Sequence, residues 1–258
     1  MPTAKVPAPA DKSLTRSPVD SLEGARARLI VALDAPDLTD ALDLVDRLEQ
    51  TCTWFKVGLE LFTAAGPKAV ETLTARGFNV FLDLKFHDIP NTVAGAVRSA
   101  AHLGARLLTL HAAGGPTMLA AAREAALSCS NPPELLAVTV LTSMDAVQLR
   151  AIGVEGVPAQ QVASLARMGM QAGLRGFVCS PEEVSTLRGL TGPEGVLVIP
   201  GIRPAGAAMG DQKRVATPAE ALQQGASYLV VGRPITQAPN PAEAAQQVLL
   251  EMAAALGR

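Results

Sequence analysis

The hydrophobic positions of this chain form short apolar runs that alternate with longer segments of helical spacing. The runs are continuously apolar, which is typical of strands buried on both faces. From residue 28 onward we predict eight strands, at residues 29–34, 53–57, 79–85, 106–112, 135–142, 176–180, 196–202 and 228–233. Helices are predicted near residues 38–50, 60–76, 91–103, 115–127, 159–173, 181–188, 217–224 and 240–256.

Buried strands that alternate with helices predict a parallel sheet with helical crossovers. Eight such units in roughly 230 residues fit a closed (β/α)₈ barrel. A doubly wound open sheet is the alternative, and it would usually carry a G-x-G-x-x-G turn after its first strand. The first run instead ends in Asp34-Ala35-Pro36-Asp37. We therefore predict an α/β fold with one single-domain (β/α)₈ barrel over residues 28–258.

The first 27 residues differ from the rest of the chain. They contain Pro2, Pro7, Pro9 and Pro18 together with charges of both signs. No apolar region follows Lys5, so the segment does not resemble a secretory signal. We predict a flexible N-terminal arm over residues 1–27.

Charge and composition argue against several classes of function. The 22 Lys and Arg residues against 24 Asp and Glu give a net charge of −2, whereas a general nucleic-acid binder needs a basic surface. The longest uncharged apolar run, residues 107–122, contains Gly114, Gly115 and Pro116 and does not form a spanning helix. Three widely spaced cysteines are typical of reduced thiols. We expect a cytoplasmic protein that binds neither nucleic acid nor a membrane.

In such a barrel the chemistry lies at the C-terminal ends of the strands. Charged side chains are costly to bury unless they are paired, so several of them at one end indicate a functional site. Ser180 lacks a His/Asp partner pattern, and a hydrolase triad is not predicted. The polar residues at or just past the predicted strand ends are Asp34, Lys56, Asp83, Lys85, His111, Thr142, Ser180, Arg203 and Arg233.

The strongest cluster lies on the second and third strands. A period of two places Asp83 and Lys85 on one face, about 7 Å apart along a regular strand. Lys56 comes from the neighbouring strand, and Asp88 follows in the next loop. Lys85 is then a proton donor held charged by carboxylates, or a member of a structural ion-pair network. A metal site of Asp83, His87 and Asp88 is a third possibility, disfavoured because two lysines repel a divalent cation.

The loops after the seventh and eighth strands carry glycine and arginine, in the segments 200–204 (PGIRP) and 232–234 (GRP). Barrels frequently bind phosphate at these loops, where glycine admits backbone N–H groups and arginine offers a bidentate fork. The alternative is an ordinary loop with solvated arginines. The long loop 204–216 is rich in Gly and Ala, which is compatible with a lid that closes over a ligand.

Seven sequence blocks resemble the orotidine 5′-phosphate decarboxylase family. The most specific is residues 81–92, FLDLKFHDIPNT. The others stand in the family's order at residues 31–34, 55–58, 140–144, 200–204, 210–212 and 231–234. The resemblance covers about residues 28–250 and leaves the N-terminal arm outside.

The resemblance implies an enzyme that decarboxylates orotidine monophosphate to uridine monophosphate in pyrimidine synthesis, without a metal or an organic cofactor. By position, Lys85 is similar to the proton donor to C6 of the pyrimidine, and Asp83 would lie beside the substrate carboxylate. Lys56 and Asp34 would bind ribose hydroxyls and complete the charged network. Thr142 would bind the edge of the pyrimidine.

The resemblance also implies a homodimer, in which Asp88 and Thr92 help to build the partner subunit's site. The phosphate would be bound by Gln212 from the lid, by Arg233 and by the Gly232 backbone. A further residue, Arg203, lies in the family's binding block without an assigned substrate atom.

Two rival functions remain. A magnesium-dependent sugar-phosphate enzyme of the same barrel group, such as a hexulose phosphate synthase or a keto-gulonate phosphate decarboxylase, shares the Asp-x-Lys-x-x-Asp pattern. It would carry an acidic metal ligand after the second strand, where this chain has Lys56. A non-catalytic nucleotide-binding barrel is the other rival, and the intact set of charged residues argues against it.

Overall fold

The computed structural model describes residues 18–204 and 215–257, and eight parallel strands form a closed barrel in it. Each strand pairs with the next along the chain, and β8 pairs with β1. The closed order confirms the (β/α)₈ barrel and excludes the open sheet. The strands are β1 (Leu29–Leu33), β2 (Trp54–Gly58), β3 (Asn79–Phe86), β4 (Leu107–His111), β5 (Glu134–Val138), β6 (Gly176–Val178), β7 (Val196–Ile199) and β8 (Tyr228–Val231).

Helices connect the strands on the outside of the barrel. The predicted helix 60–76 is two helices, because Gly66 adopts a φ of +63° and Pro67 follows it. The helices are α1 (Pro18–Arg26), α2 (Leu38–Leu48), α3 (Leu59–Ala65), α4 (Lys68–Ala75), α5 (Pro90–His102), α6 (Gly115–Leu127), α7 (Ala146–Ala151), α8 (Pro158–Gln171), α9 (Val184–Thr191), α10 (Pro218–Gln223), α11 (Arg233–Thr236) and α12 (Pro241–Leu256). Short 3₁₀ turns cover Ala112–Gly114 and Pro181–Glu183.

Side-chain caps fix where several helices begin. The Asp37 carboxylate accepts the backbone N–H of Asp40 at 2.9 Å and so starts α2 immediately after the first strand. Thr217 and Glu220 form a reciprocal capping box at the start of α10. These caps satisfy backbone N–H groups at the first turn of α2 and α10.

Two hydrophobic layers lie on either side of the sheet. Leu29, Val31 and Leu33 face the helices, while Ile30 and Ala32 face the barrel axis. The inward layer consists of Ile30, Ala32, Trp54, Phe81, Leu107, Leu136, Val198 and Val230. Continuing this inward set by two residues toward the C-terminal ends leads to Asp34, Lys56, Asp83 and Thr109. The polar site therefore lies directly above the apolar barrel interior.

Helix α1 lies inside the segment for which the sequence predicted a flexible arm. Ala25 is fully buried, and the Arg26 guanidinium donates to the carbonyls of Thr51 and Gln50 at 3.0 and 2.8 Å. For this stretch the predicted arm is wrong, because Leu22 and Ala25 supply enough apolar surface to pack on the hydrophobic layer. Residues 1–17 lie outside the described residues.

The longest described helix, α12, has 16 residues. Across residues 18–204 and 215–257, no helix is both long and apolar enough to cross a membrane.

Candidate active site

Four charged side chains alternate in sign at the C-terminal end of the barrel. Lys56 Nζ lies 3.1 Å from Asp34 Oδ1 and 3.8 Å from Asp83 Oδ2. Lys85 Nζ lies 2.8 Å from Asp83 Oδ1. The side chains of Lys56 and Asp83 are only 12% and 14% exposed, so their charges are paired inside the site rather than in solvent. The structure thus brings together four of the residues that the sequence predicts.

Strand β3 departs from regular geometry where it carries these residues. Lys85 has a φ of +51° and is the one non-glycine residue with positive φ in the described chain. Leu82 pairs with Leu108, yet Phe86 pairs with Leu110, where a regular register would place Leu84. The expectation of a regular strand through Asp83 and Lys85 is therefore wrong, because the left-handed residue makes the strand bulge. With this backbone, the Lys85 ammonium lies 2.8 Å from the Asp83 carboxylate.

Thr109 on β4 is hydrogen-bonded to both Asp83 and Lys85, the two charged residues of the bulge. Its hydroxyl accepts the backbone N–H of Lys85 at 2.9 Å and donates to Asp83 Oδ1 at 3.0 Å, and the residue is fully buried. Sequence reasoning missed Thr109 because it lies inside an apolar run. Its position two residues after the inward-facing Leu107 was the signal that could have identified it.

A cavity of about 160 Å³ opens above the barrel interior beside this cluster. Lys56, Asp83 and Lys85 form its charged part, and the rest is mostly apolar. The other lining residues are Phe81, Val138, Val140, Leu141, Thr142, Val178, Cys179, Val198, Pro200 and Val230. Such a wall fits a flat, partly apolar ring.

Thr142 lines this cavity, but from a turn rather than from a strand. Strand β5 ends at Val138, four residues earlier than the predicted end at residue 142. The chain leaves the sheet here because the segment 139–145 leads into the short helix α7, which the Asp145 side chain caps. The predicted place of Thr142 at a strand end is thus wrong, while its place at the cavity is as expected.

The predicted phosphate residues lie on the side where β7 and β8 end. The guanidinium of Arg203 donates to the Ile202 carbonyl at 3.0 Å, and burial together with the nearby charge of Arg233 lowers its pKa. Two positive charges that act on one another attract an anion to this side of the barrel. Gly232 adjoins the cluster, since a Cβ there would come 3.7 Å from Asp34 Oδ2. Gln212 and most of the loop 204–216 lie outside the described residues.

Asp88 and Thr92 are not part of the cluster within one chain. Both are exposed, and the Asp88 carboxylate accepts only the adjacent N–H of Ile89, at 2.6 Å, among the bonds seen in the described chain. Ile89 beside them is 67% exposed. Isolated exposed apolar side chains are ordinary, but here one adjoins the two residues expected to meet a partner subunit.

Two histidines flank the cluster on the β4 side. The rings of His87 and His111 are 5.5 Å apart, and the pKa of His111 is lowered by burial and by His87 and Lys85. Over the described residues, no three His, Cys, Asp or Glu side chains are grouped to hold a metal, so Asp83, His87 and Asp88 are not brought together. The Ser180 hydroxyl donates to the Glu183 carboxylate in a helix cap.

Comparisons with known proteins agree on one family. Residues 27–248 match the model of the orotidine 5′-phosphate decarboxylase / HUMPS family. The chain is 55% identical over 234 residues to the orotidine 5′-phosphate decarboxylase of Moorella thermoacetica, covering 88% of this chain and 93% of the relative. The Nitrosococcus oceani enzyme of that name is 53% identical over 227 residues, covering 88% and 98%. The crystal structure of the Lactobacillus acidophilus orotidine 5′-phosphate decarboxylase superposes with a TM-score of 0.78 at 38% identity, covering 87% and 98%.

Proposed function

Because the chain belongs to the orotidine 5′-phosphate decarboxylase / HUMPS family, we propose that it converts orotidine 5′-phosphate to uridine 5′-phosphate and CO₂ in pyrimidine synthesis. The observation that carries this proposal is the alternating charge cluster beside an apolar cavity. The names of the relatives support the substrate, and an ammonium group at the cavity supports the chemistry.

Lys85 is the proposed proton donor. When the bond between C6 and the carboxylate breaks, CO₂ leaves and the electron pair stays on C6. An ammonium fixed beside C6 stabilises that charge and then gives it a proton, which forms the C6–H bond. Lys85 is left as a neutral amine and takes its next proton from solvent. The ion pair with Asp83 holds the ammonium in the cavity before the reaction starts.

The neighbouring charges have separate proposed roles. Asp83 would stand beside the substrate carboxylate, which favours departure of CO₂ if the two negative charges repel. Lys56 is held between Asp83 and Asp34, and the Asp34 carboxylate is 55% exposed at the rim of the cluster. We assign the ribose hydroxyls to Lys56 and Asp34 on that ground, because a rim carboxylate is accessible to accept hydrogen bonds.

Binding energy would come mainly from the far end of the nucleotide. Thr142 is assigned to the pyrimidine edge, and Arg203, Arg233, Gly232 and Gln212 are assigned to the phosphate. The positive charge of Arg233, which acts on the Arg203 guanidinium, supports an anion site there. If the loop 204–216 closes, the phosphate contacts fix the position of the ring against Lys85.

We also propose a homodimer in which Asp88 and Thr92 complete the partner subunit's site. Their exposure in one chain supports this arrangement. It is tested by mixing two inactive variants, Lys85→Ala and Asp88→Asn, and allowing subunits to exchange. Mixed dimers regain one complete site, so about a quarter of the normal activity should return. No recovery in a mixture shown to contain mixed dimers would contradict the shared site.

Finally, we propose that the reaction in the cytoplasm needs neither a metal nor an organic cofactor. The test is the loss of orotidine 5′-phosphate absorbance with EDTA present, followed by identification of the product. We expect turnover to continue in the presence of the chelator, because the Lys85 ammonium would stabilise the negative charge that forms at C6. Turnover of a sugar phosphate that depends on magnesium would instead assign the chain to the other branch of its family.

A further inference from the structure

We propose that Thr109 is a positioning residue for the proton donor, and this proposal rests on the proposed decarboxylase function. Thr109 is fully buried and would act on the reaction through its hydrogen bonds to Lys85 and Asp83. Its hydroxyl holds the backbone N–H of Lys85 and the side-chain carboxylate of Asp83.

The direction of the two hydrogen bonds is determined by the groups involved. The backbone N–H of Lys85 can only donate, so Thr109 Oγ1 accepts from it. The hydroxyl then has one proton, which it donates to Asp83 Oδ1 at 3.0 Å. Valine at this position would fill the same space but could form neither bond.

The Lys85 backbone needs such a partner. A left-handed conformation is unfavourable for a non-glycine residue because its Cβ crowds the following carbonyl oxygen, and the bulge removes the regular pairing to β4 at this point. Through the bond to Thr109, the Lys85 N–H gains an acceptor that the shifted register does not supply. Without the hydroxyl, a partly buried N–H would be left without this acceptor, and the left-handed turn would lose its support.

The bond to Asp83 acts on the ammonium. Asp83 Oδ1 accepts hydrogen bonds from both the Thr109 hydroxyl and Lys85 Nζ, while Oδ2 is directed toward Lys56. The hydroxyl therefore sets the rotation of the carboxylate, and the carboxylate sets the place of the ammonium. A shift of about 1 Å at the proton donor is enough to lower the rate strongly.

The test compares Thr109→Val with Thr109→Ser. The valine variant removes the hydroxyl at constant volume, and the serine variant keeps the hydroxyl and removes the methyl group. We expect kcat to fall roughly 10- to 100-fold in Thr109→Val, with binding of uridine 5′-phosphate changed less than about 3-fold. Thr109→Ser should retain kcat within about 3-fold.

Thr53→Val is the matched control for loss of a threonine hydroxyl. Thr53 Oγ1 donates to the Arg26 carbonyl at 3.3 Å, at the opposite end of the barrel. This variant should leave kcat unchanged. Equal kcat in Thr109→Val and the wild type, or an equal loss in the valine and serine variants, would overturn the proposal.

Amide hydrogen exchange at Lys85 gives a readout that does not depend on turnover. Exchange should be slow in the wild type and in Thr109→Ser, and at least about 10-fold faster in Thr109→Val. Unchanged exchange would overturn the positioning role even if kcat fell. If the wild type lacked decarboxylase activity but showed this pattern, the proposed function would fail while the role of Thr109 at the bulge would stand. If Thr109→Val did not fold, Thr109→Ala compared with Thr109→Ser would provide the same contrast.

Discussion

At the N-terminal end of the barrel, the guanidinium of Arg188 donates hydrogen bonds into the two loops that precede β7 and β8. At the C-terminal end, Lys85 has a strained backbone, and its ammonium pairs with a carboxylate at an open cavity. Both residues are cationic and half-buried, but only the first is surrounded by backbone acceptors. The acceptors of Arg188 are the carbonyls of Gly192, Pro193, Gly195 and Gly225 and the hydroxyl of Ser227.

We interpret the difference as a separation of stability from the proposed chemistry within one barrel. The N–H donors of Arg188 are satisfied by these acceptors. The side chain therefore joins α9 to the loops at the N-terminal end of the barrel and has a structural role. The Lys85 ammonium lies at the cavity, and the backbone of this residue has an unfavourable positive φ. We therefore expect substitutions at the two ends to affect different measurements.

The largest expected effect is the loss of activity in Lys85→Ala. Removing the proposed proton donor, and with it the charge proposed to stand beside C6, should lower kcat by roughly 10,000-fold or more. Binding of uridine 5′-phosphate should remain measurable, because the proposed phosphate contacts do not include Lys85. The assay is the loss of orotidine 5′-phosphate absorbance, together with calorimetry of product binding. Substantial turnover by this variant would remove the proposed distinction between the two ends.

Arg188→Met should show the opposite pattern. Methionine keeps part of the apolar stem but donates no hydrogen bonds, so several partly buried carbonyls lose their partner. We expect the free energy of unfolding to fall by about 3 kcal/mol in urea titrations, with kcat within about 2-fold of normal. A variant with normal stability and reduced kcat would show that the N-terminal end also acts on the reaction.

The architecture was predictable because its signal is local. Continuous apolar runs mark strands buried between the barrel interior and the helices, and a period of two leads from Trp54 to Lys56 and from Phe81 to Asp83. The charged cluster could therefore be predicted before any coordinates. Helix α1 could not, since its packing depends on few apolar residues such as Leu22 and Ala25.

The bulge at Lys85 depends on contacts between strands, which residue types alone do not reveal. Lysine has no preference for a positive φ, and the hydrogen bond from its backbone N–H to the Thr109 hydroxyl is made across the sheet. For the same reason the regular-strand spacing predicted for Asp83 and Lys85 was wrong. Exposure of Asp88 likewise follows from the loop path after β3, and the dimer in which it would be covered remains a prediction.

A smaller effect tests the backbone strain at Lys85 itself. In Lys85→Gly the left-handed conformation costs nothing, so this variant should be more stable than Lys85→Ala by about 1 kcal/mol. Lys56 lies on a regular strand beside it and serves as the control. There glycine should be less stable than alanine, by roughly 0.5–1 kcal/mol. The same sign at both positions, in urea titrations, would show that Lys85 is not strained.

The smallest effect concerns pH at the C-terminal end. Burial, His87 and Lys85 lower the pKa of His111 from its ordinary value of 6.5, against an opposing contribution from Asp83. As pH falls below 6.5, the unfolded chain takes up a proton that the folded chain accepts only at lower pH, so His111 costs stability there. His111→Gln should therefore show a smaller fall in Tm between pH 8 and about pH 5 than the wild type does.

The difference in Tm between His111→Gln and the wild type at pH 8, where His111 is neutral in both states, measures the cost of altered packing alone. Because Arg188 stays charged throughout this range, Arg188→Met should shift Tm by nearly the same amount at both pH values. Parallel pH dependence of the wild type and His111→Gln would mean that the charges at the cavity do not act on this histidine.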